Sequence, residues 1–269
     1  MKVKERIKKA LKVKGIPEEP KSVETVEQEQ HDFSFACITC QQDAHYLEDM
    51  IASLPKGVEL VIVNTIPCKD DEEESIVLRF DGETDGRHTR VADYHYKRWR
   101  FDKARNVSID LCQREWVMWI DSDDRLVPSY HDQLLSITQG VSACVGGVTM
   151  GCFGFQPPYE EGKRGAYYAT PHLRIFRRSI GAKFRGIVHE QIDAQITEAG
   201  FVVVESDVPI IHIGYVTDTK TLLGKMRRNV SLLCQQIATD PDYLTEYYRK
   251  ALTNNLQTLN ELEGLQNGR

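Results

Sequence analysis

Trp116-Val117-Met118-Trp119-Ile120-Asp121-Ser122-Asp123-Asp124 is the stretch on which the reading of this chain turns. Five apolar residues run straight into three carboxylates. A short apolar run bounded by polar residues predicts a buried strand. Ligands of open α/β sheets lie outside the carboxyl ends of the strands, and hard divalent cations take oxygen ligands. Asp121 and Asp123 can face one pocket across a tight turn, leaving coordination positions open for phosphate oxygens. The pattern points to a metal–diphosphate site. Asp124 suits the turn itself, or the cap of the next element.

Working outward, residues 33–40 and 58–64 are apolar runs. Between them Ala44, Leu47, Met50, Ile51 and Leu54 recur at helical spacing. Strand, helix, strand over about thirty residues predicts a parallel βαβ unit with a right-handed crossover. Residues 76–80 and 90–96 suit a hairpin around a turn-rich 81–88, and 102–112 a helix feeding the Trp116 strand. A helix is expected over 128–139, with Pro128 where its missing N–H costs little. Residues 142–150 read as a strand, and the Gly-, Pro- and Tyr-rich 151–170 as a long loop near the site. Residues 172–178 alternate as in a strand, 186–199 suit a helix, and 201–205 and 208–213 suit two strands. From Thr219 onward the pattern is helical, broken at Asp240-Pro241.

The length of 269 residues and 41% hydrophobic content allow a sizeable core. The expected organisation is an N-terminal helix and linker at 1–32, a catalytic domain at 33–217 and a C-terminal helical extension at 218–269. In the first of these, Val3, Ile7, Ala10 and Leu11 fall at helical spacing among lysines, as in a solvated or surface-docking helix. The net charge of −6 argues against general nucleic-acid binding. No apolar run of roughly 18 residues predicts a membrane span, and the lysine-rich start lacks the apolar core of a secretory signal. Seven cysteines without framework spacing predict reduced thiols and a cytoplasmic location. Cys37-x-x-Cys40 lies inside an apolar run with no second Cys/His pair nearby, so core thiols are expected there.

Several further motifs follow in order: Ile38-Thr39-Cys40-Gln41, Asn64, Phe101-Asp102-Lys103-Ala104-Arg105-Asn106, the Asp-x-Asp stretch, Val188-His189-Glu190 and Ile211-His212-Ile213-Gly214-Tyr215. In this ordered set, spanning roughly residues 33–215, the chain resembles a family 2 glycosyltransferase of the GT-A fold. It is most similar to the bacterial and phage branch that combines aromatic-Ala-Arg-Asn, Asp-x-Asp, His-Glu and His-x-Gly-Tyr. The resemblance implies a Rossmann-like mixed, mainly parallel α/β sheet flanked by helices, with helical N- and C-terminal additions.

It also implies a nucleoside-diphosphate sugar donor, usually a uridine diphosphate sugar. Thr39 and Gln41 would line the base and ribose pocket. Asn64 stands where the family commonly carries an aspartate that accepts the uracil N3–H; an amide oxygen still accepts, but an amide also donates. Arg105 would sit near the nucleotide or diphosphate, and Asp121 and Ser122 beside the donor. Asp123 would bind the metal directly, with Asp121 and His212 as further ligands. A carboxylate–imidazole set suits Mn²⁺, with Mg²⁺ the alternative. Glu190 would be the base that takes the acceptor proton. His189 would orient the base or the acceptor, and Asp193 is the fallback base if both lie on one helix face. Arg174, rather than Arg177 on the other strand face, and Tyr167 are acceptor-side candidates. Trp99 and Tyr168 suit stacking on a sugar or base, or core packing.

The acceptor remains open among a glycan, a protein side chain and a modified nucleic-acid base. The helical tail suits a homodimer interface, an acceptor platform or a lid on the sheet. Two other functional classes compete. A metal-dependent nucleotidyl or phosphoryl transferase would want a basic phosphate loop, and no P-loop pattern occurs. A non-catalytic sugar-nucleotide-binding module would keep the fold without turnover.

Overall fold

Strand β1 (Phe33–Thr39) is buried along its whole length, as expected of a strand covered on both faces. The computed structural model to which it belongs describes residues 31–156, 166–214, 219–243 and 245–266. The expected N-terminal helix and Tyr215 lie outside these residues, as does the side chain of Tyr167. On one side of β1 lies β2 (Glu59–Pro67), and on the other β5 (Trp116–Asp121), both parallel to it. Beyond β2 comes β4 (Arg87–Tyr96), also parallel, with β3 (Ser75–Thr84) antiparallel at the sheet edge. The hairpin expected around 76–96 is therefore longer. Its tip is Asp85-Gly86, both at positive φ, the pairing that two-residue hairpin turns favour.

The other half of the sheet is built by β6 (Asp124–Leu126), β7 (Val145–Gln156), β8 (Ala166–Arg177) and β9 (Val202–His212). The full order is β3-β4-β2-β1-β5-β8-β7-β9-β6. Pairing in this half is antiparallel except between β7 and β9. The sheet is thus the mixed α/β type expected. The loop expected over 151–170 is instead largely a β7–β8 hairpin. Gly151 and Gly154 lie in a strand, where a β-carbon would run into the rings of Phe153 and Tyr168. Glycine here gives aromatic rings access to the backbone, a strand use that composition alone reads as loop. The two strands expected over 201–213 are one, with register shifts against β7.

One sheet face buries Phe35, Met50, Met118, Met150 and Ile175 in a single cluster. Helices α1 (Leu47–Ala52) and α3 (His131–Ser136) cover it through Met50 and Leu134. A 3₁₀ turn, Pro128–Tyr130, precedes α3. The opposite face buries Ile38, Val63, Ala104 and Phe176, with α2 (Phe101–Leu111) and α4 (Asp193–Glu198) packed there through Ile109 and Ile196. Each such large side chain contributes about 1.5–3 kcal/mol by leaving water. Cutting Met118 back to alanine would cost about 2–5 kcal/mol through the cavity left between the layers.

Two long helices follow, α5 (Thr219–Thr239) and α6 (Thr245–Gln266). Leu222, Leu223, Met226 and Leu262 bury each other between them. No described helix is long and apolar enough to cross a membrane.

Candidate active site

The apolar run of β5 ends with Ile38 of β1 opposite Asp121, so the carboxylates emerge at the carboxyl ends of the parallel strands. The chain then turns into the three-residue β6, which pairs with the end of β9 and sets Asp124 opposite His212. That pairing brings together residues 88 positions apart, and His212 Nδ1 lies 2.8 Å from Asp124 Oδ1. Asp121, Asp123, Asp124 and His212 each offer a ligand atom within 4.8 Å of the others.

Asp124 does far more than shape a turn. It is fully buried. Its Oδ2 accepts the Asp121 backbone N–H at 3.0 Å and the Arg174 guanidinium at 2.8 Å, while Oδ1 faces His212. A carboxylate on one ring nitrogen fixes the orientation of the imidazole and raises its basicity. Burial lowers the His212 pKa, but the bond to Asp124 and the charges of Asp123, Asp124 and Asp121 outweigh it and lift it to about 9. Asp123 is pushed up to about 6 by burial and the neighbouring carboxylates, against the pull of His212. Burial also opposes the charge on Asp121, yet Arg105, Arg174 and His212 hold it well below the usual range. A hard-oxygen cluster with one imidazole, crowded enough to raise a member's pKa, fits a divalent Mn²⁺ or Mg²⁺ ion in its chemistry.

Arg174 was expected on the acceptor side. It is instead 2% exposed, bonded to Asp124, and its guanidinium lies 3.7 Å from the centre of the Trp119 ring. Through its bond to Asp124, Arg174 braces the cluster.

Glu190 reaches the site by a different route. The helix expected from Gly186 does not form. Gly186 has φ 123° and His189 φ 53°, both incompatible with a right-handed helix. An isolated bridge between Arg185 and Gln191 pinches the segment into a tight loop. The first helical residue is Asp193, which is exposed and shares no helix face with Glu190. The fallback assignment to Asp193 therefore loses its geometric basis.

The loop rests on a floor. Ile187 and Val188 are buried against Leu232, Leu233 and Tyr248 of the C-terminal helices. The Ile187 N–H donates to Gln236 Oε1 at 2.7 Å, and the Gly186 N–H to Asp102 Oδ2 at 3.0 Å. The Ile187 carbonyl accepts the Phe101 N–H at 2.9 Å, which ties the loop to the start of α2.

Arg105, on α2, connects the two walls. Its Nε donates to Glu190 Oε1, and its Nη2 to Asp121 Oδ1 at 2.8 Å. The guanidinium lies 4.1 Å from the Trp119 ring centre. Burial disfavours its charge, but Asp121 and Glu190 more than compensate and raise its pKa. The Glu190 side chain is 8% exposed. Burial pushes its carboxyl above the usual range, with Arg105 opposing. Burial lowers the His189 pKa, and its Nε2 is buried without a hydrogen-bond partner among the described residues.

The remaining candidates divide. Thr39 is buried, and its carbonyl accepts the Thr65 hydroxyl at 2.8 Å. Gln41 is exposed just past β1, and Asn64 half-buried at the same end of β2. Ser122 is buried, its carbonyl accepting from Arg125 at 2.8 Å. Trp99 is half-buried and packs between Tyr96 and Phe101, with ring centres 5.0 and 4.8 Å away, against the edge of the core. Sequence reasoning missed Lys225 of α5, whose Nζ donates to the Gly214 carbonyl at 3.0 Å. It also missed Arg125, which ties the Asp-x-Asp turn to the Tyr46 carbonyl at 3.0 Å. A lysine or arginine among thirty-four carries no distinguishing signal in one sequence.

No family model matches the chain. Among curated proteins it is similar to glycosyltransferase SunS of Bacillus phage SPbeta and to the SPbeta prophage-derived glycosyltransferase SunS of Bacillus subtilis (strain 168). Each is 25% identical over 181 residues, which is 65% of this chain. The chain spans 41% of the length of these relatives. Among solved structures, S. aureus TarS 1-349 in complex with UDP-GlcNAc aligns over 83% of this chain and 71% of its own, at 14% identity and TM-score 0.45. The mannosyltransferase PcManGT from Pyrobaculum calidifontis, in complex with GDP-Man and Mn2+, aligns over 97% and 79%, also at 14% identity and TM-score 0.45. Over those 181 residues the chain is similar in sequence to proteins named as glycosyltransferases.

Proposed function

We propose that this protein is an inverting, metal-dependent glycosyltransferase that moves a sugar from a nucleoside-diphosphate donor, a uridine diphosphate sugar, to an acceptor hydroxyl. The observation that carries this reading is the Arg105 bridge, which sets Glu190 one guanidinium away from Asp121. It gives one wall for a donor and a facing wall with a buried carboxylate. The sequence likeness to SunS supports the same class.

In this reading Asp121, Asp123 and His212 hold the Mn²⁺ or Mg²⁺ ion, whose charge, when bound, stabilises the leaving diphosphate. Asp124 and Arg174 keep those ligands in place. Glu190 takes the proton of the acceptor hydroxyl as its oxygen attacks the anomeric carbon. The bond from that carbon to the diphosphate oxygen breaks, and the electron pair leaves with the nucleotide. A single displacement inverts the anomeric centre. A pKa raised by burial makes Glu190 a stronger base, while Arg105 keeps its charge tolerable in a desolvated loop. Lys225, beside the Gly214 carbonyl, adds a cation on the diphosphate side.

The test is incubation of the full chain with a panel of nucleotide sugars and Mn²⁺, with and without EDTA. Donor hydrolysis or transfer that EDTA abolishes is the expected result. Tight donor binding without any turnover would favour the non-catalytic module. Mass spectrometry of products formed in a host lysate then identifies the acceptor.

A further inference from the structure

Asn64 lies in register with Thr39 of β1 and Asp93 of β4, all three in the carboxyl-terminal halves of neighbouring parallel strands. Its Nδ2 donates to Asp93 Oδ1 at 3.0 Å. The other Asp93 oxygen accepts from Arg79 Nε at 2.6 Å. Burial opposes the charge on Asp93, but the bonds from Asn64 and Arg79 outweigh it and hold the carboxyl below its usual range.

The two ends of an asparagine amide have the same shape, so chemistry must decide which way it points. An ionised carboxylate can only accept. The Asn64 nitrogen must therefore face Asp93. Its oxygen is turned the other way, and no described residue donates to it. What the sequence leaves ambiguous, an amide that both donates and accepts, is fixed by its neighbour as an outward acceptor.

That acceptor stands where open α/β sheets bind nucleotides. A ring N–H satisfies it, as the N3–H of uracil does. Cytosine has the same size but offers a lone pair at N3, which would meet the amide oxygen head on. Leaving such a polar group unpaired weakens binding by roughly tenfold.

We propose that Asp93, acting through Asn64, is the positioning residue that sets a preference for uracil over cytosine in the donor. The inference rests on the nucleotide-sugar reading above. Asp93→Asn removes the rule that orients Asn64, because an amide partner accepts or donates equally well. Asn64→Ala removes the discriminating oxygen itself.

The experiment is isothermal titration of UDP and of CDP, in Mn²⁺, against the wild-type chain, Asp93→Asn and Asn64→Ala. The wild type is expected to bind UDP at least about tenfold more tightly than CDP. Both variants should bring the two affinities to within about threefold of each other. A loss of fold would weaken both nucleotides together and leave their ratio alone, so the ratio separates orientation from stability. If UDP binds and Asp93→Asn keeps the wild-type ratio, whatever Asn64→Ala does, this inference is overturned and the donor reading stands. If neither nucleotide binds the wild type, both fall.

Discussion

Gly214 lies directly against the carboxylate of Asp123. A β-carbon at 214 would overlap Asp123 Oδ2 and come within 2.9 Å of His212 Nε2. Gly214 is not among the described residues at positive φ, so backbone conformation does not demand glycine there. It is close approach to the Asp123 and His212 side chains that excludes a side chain. Gly214→Ala should lower Mn²⁺ affinity by about 10–100-fold, the range seen when groups supporting metal ligands are disturbed. Titration calorimetry with Mn²⁺ alone reads this, and an unchanged affinity would detach Asp123 from metal binding.

Glu190→Gln should lower kcat by about 10²–10⁴ while donor affinity stays within a few-fold. The pH dependence adds a second reading. In the base role Glu190 would act ionised, and burial raises its pKa. Turnover should therefore fall on acidification, with its midpoint above that of an ordinary glutamate. A midpoint at or below the ordinary range, or loss of UDP binding in the glutamine variant, would remove Glu190 from the base role.

The Arg174–Asp124 pair is buried on both sides, at 3% and 0% side-chain exposure. Removing one partner leaves an uncompensated charge in the interior. Arg174→Leu should destabilise the fold by about 3–5 kcal/mol. Adding Asp124→Asn should recover part of that loss. Chemical denaturation measures both, and strictly additive losses would show that the two residues are not coupled.

Lys225→Gln keeps a donor for the Gly214 carbonyl but removes the charge. Affinity for UDP should fall about tenfold, with Mn²⁺ affinity and uridine affinity unchanged. If Mn²⁺ binding falls instead, Lys225 supports the metal turn and does not serve the diphosphate.

The parallel half of the fold and the Asp-x-Asp turn were legible because buried strands such as β1 and β5 write themselves as unbroken apolar runs. β6 was not legible, since three residues cannot show a period, yet its pairing with β9 delivers His212 to Asp124. The resemblance supplied His212 and Glu190 as candidates; it did not supply the contact of Arg105 with Glu190, 85 residues apart. Arg174 was misplaced because strand alternation tells which face a side chain takes and not what stands there. The helix expected from Gly186 failed because a periodic apolar pattern is blind to the positive φ of Gly186 and His189.

Tyr248 sits so close beneath Gly186 that any side chain at 186 would strike its hydroxyl, and Gln236 holds the next residue by its N–H. The loop carrying Glu190 is thus shaped from below by helices that contribute nothing to the sheet. A chimera that transplanted the sheet between relatives, leaving α5 and α6 behind, would inherit the carboxylate–histidine cluster intact and set Glu190 on an unsupported span. Interchangeable parts in this chain do not coincide with its layers: the smallest unit that can be exchanged with its chemistry intact includes the helical pair.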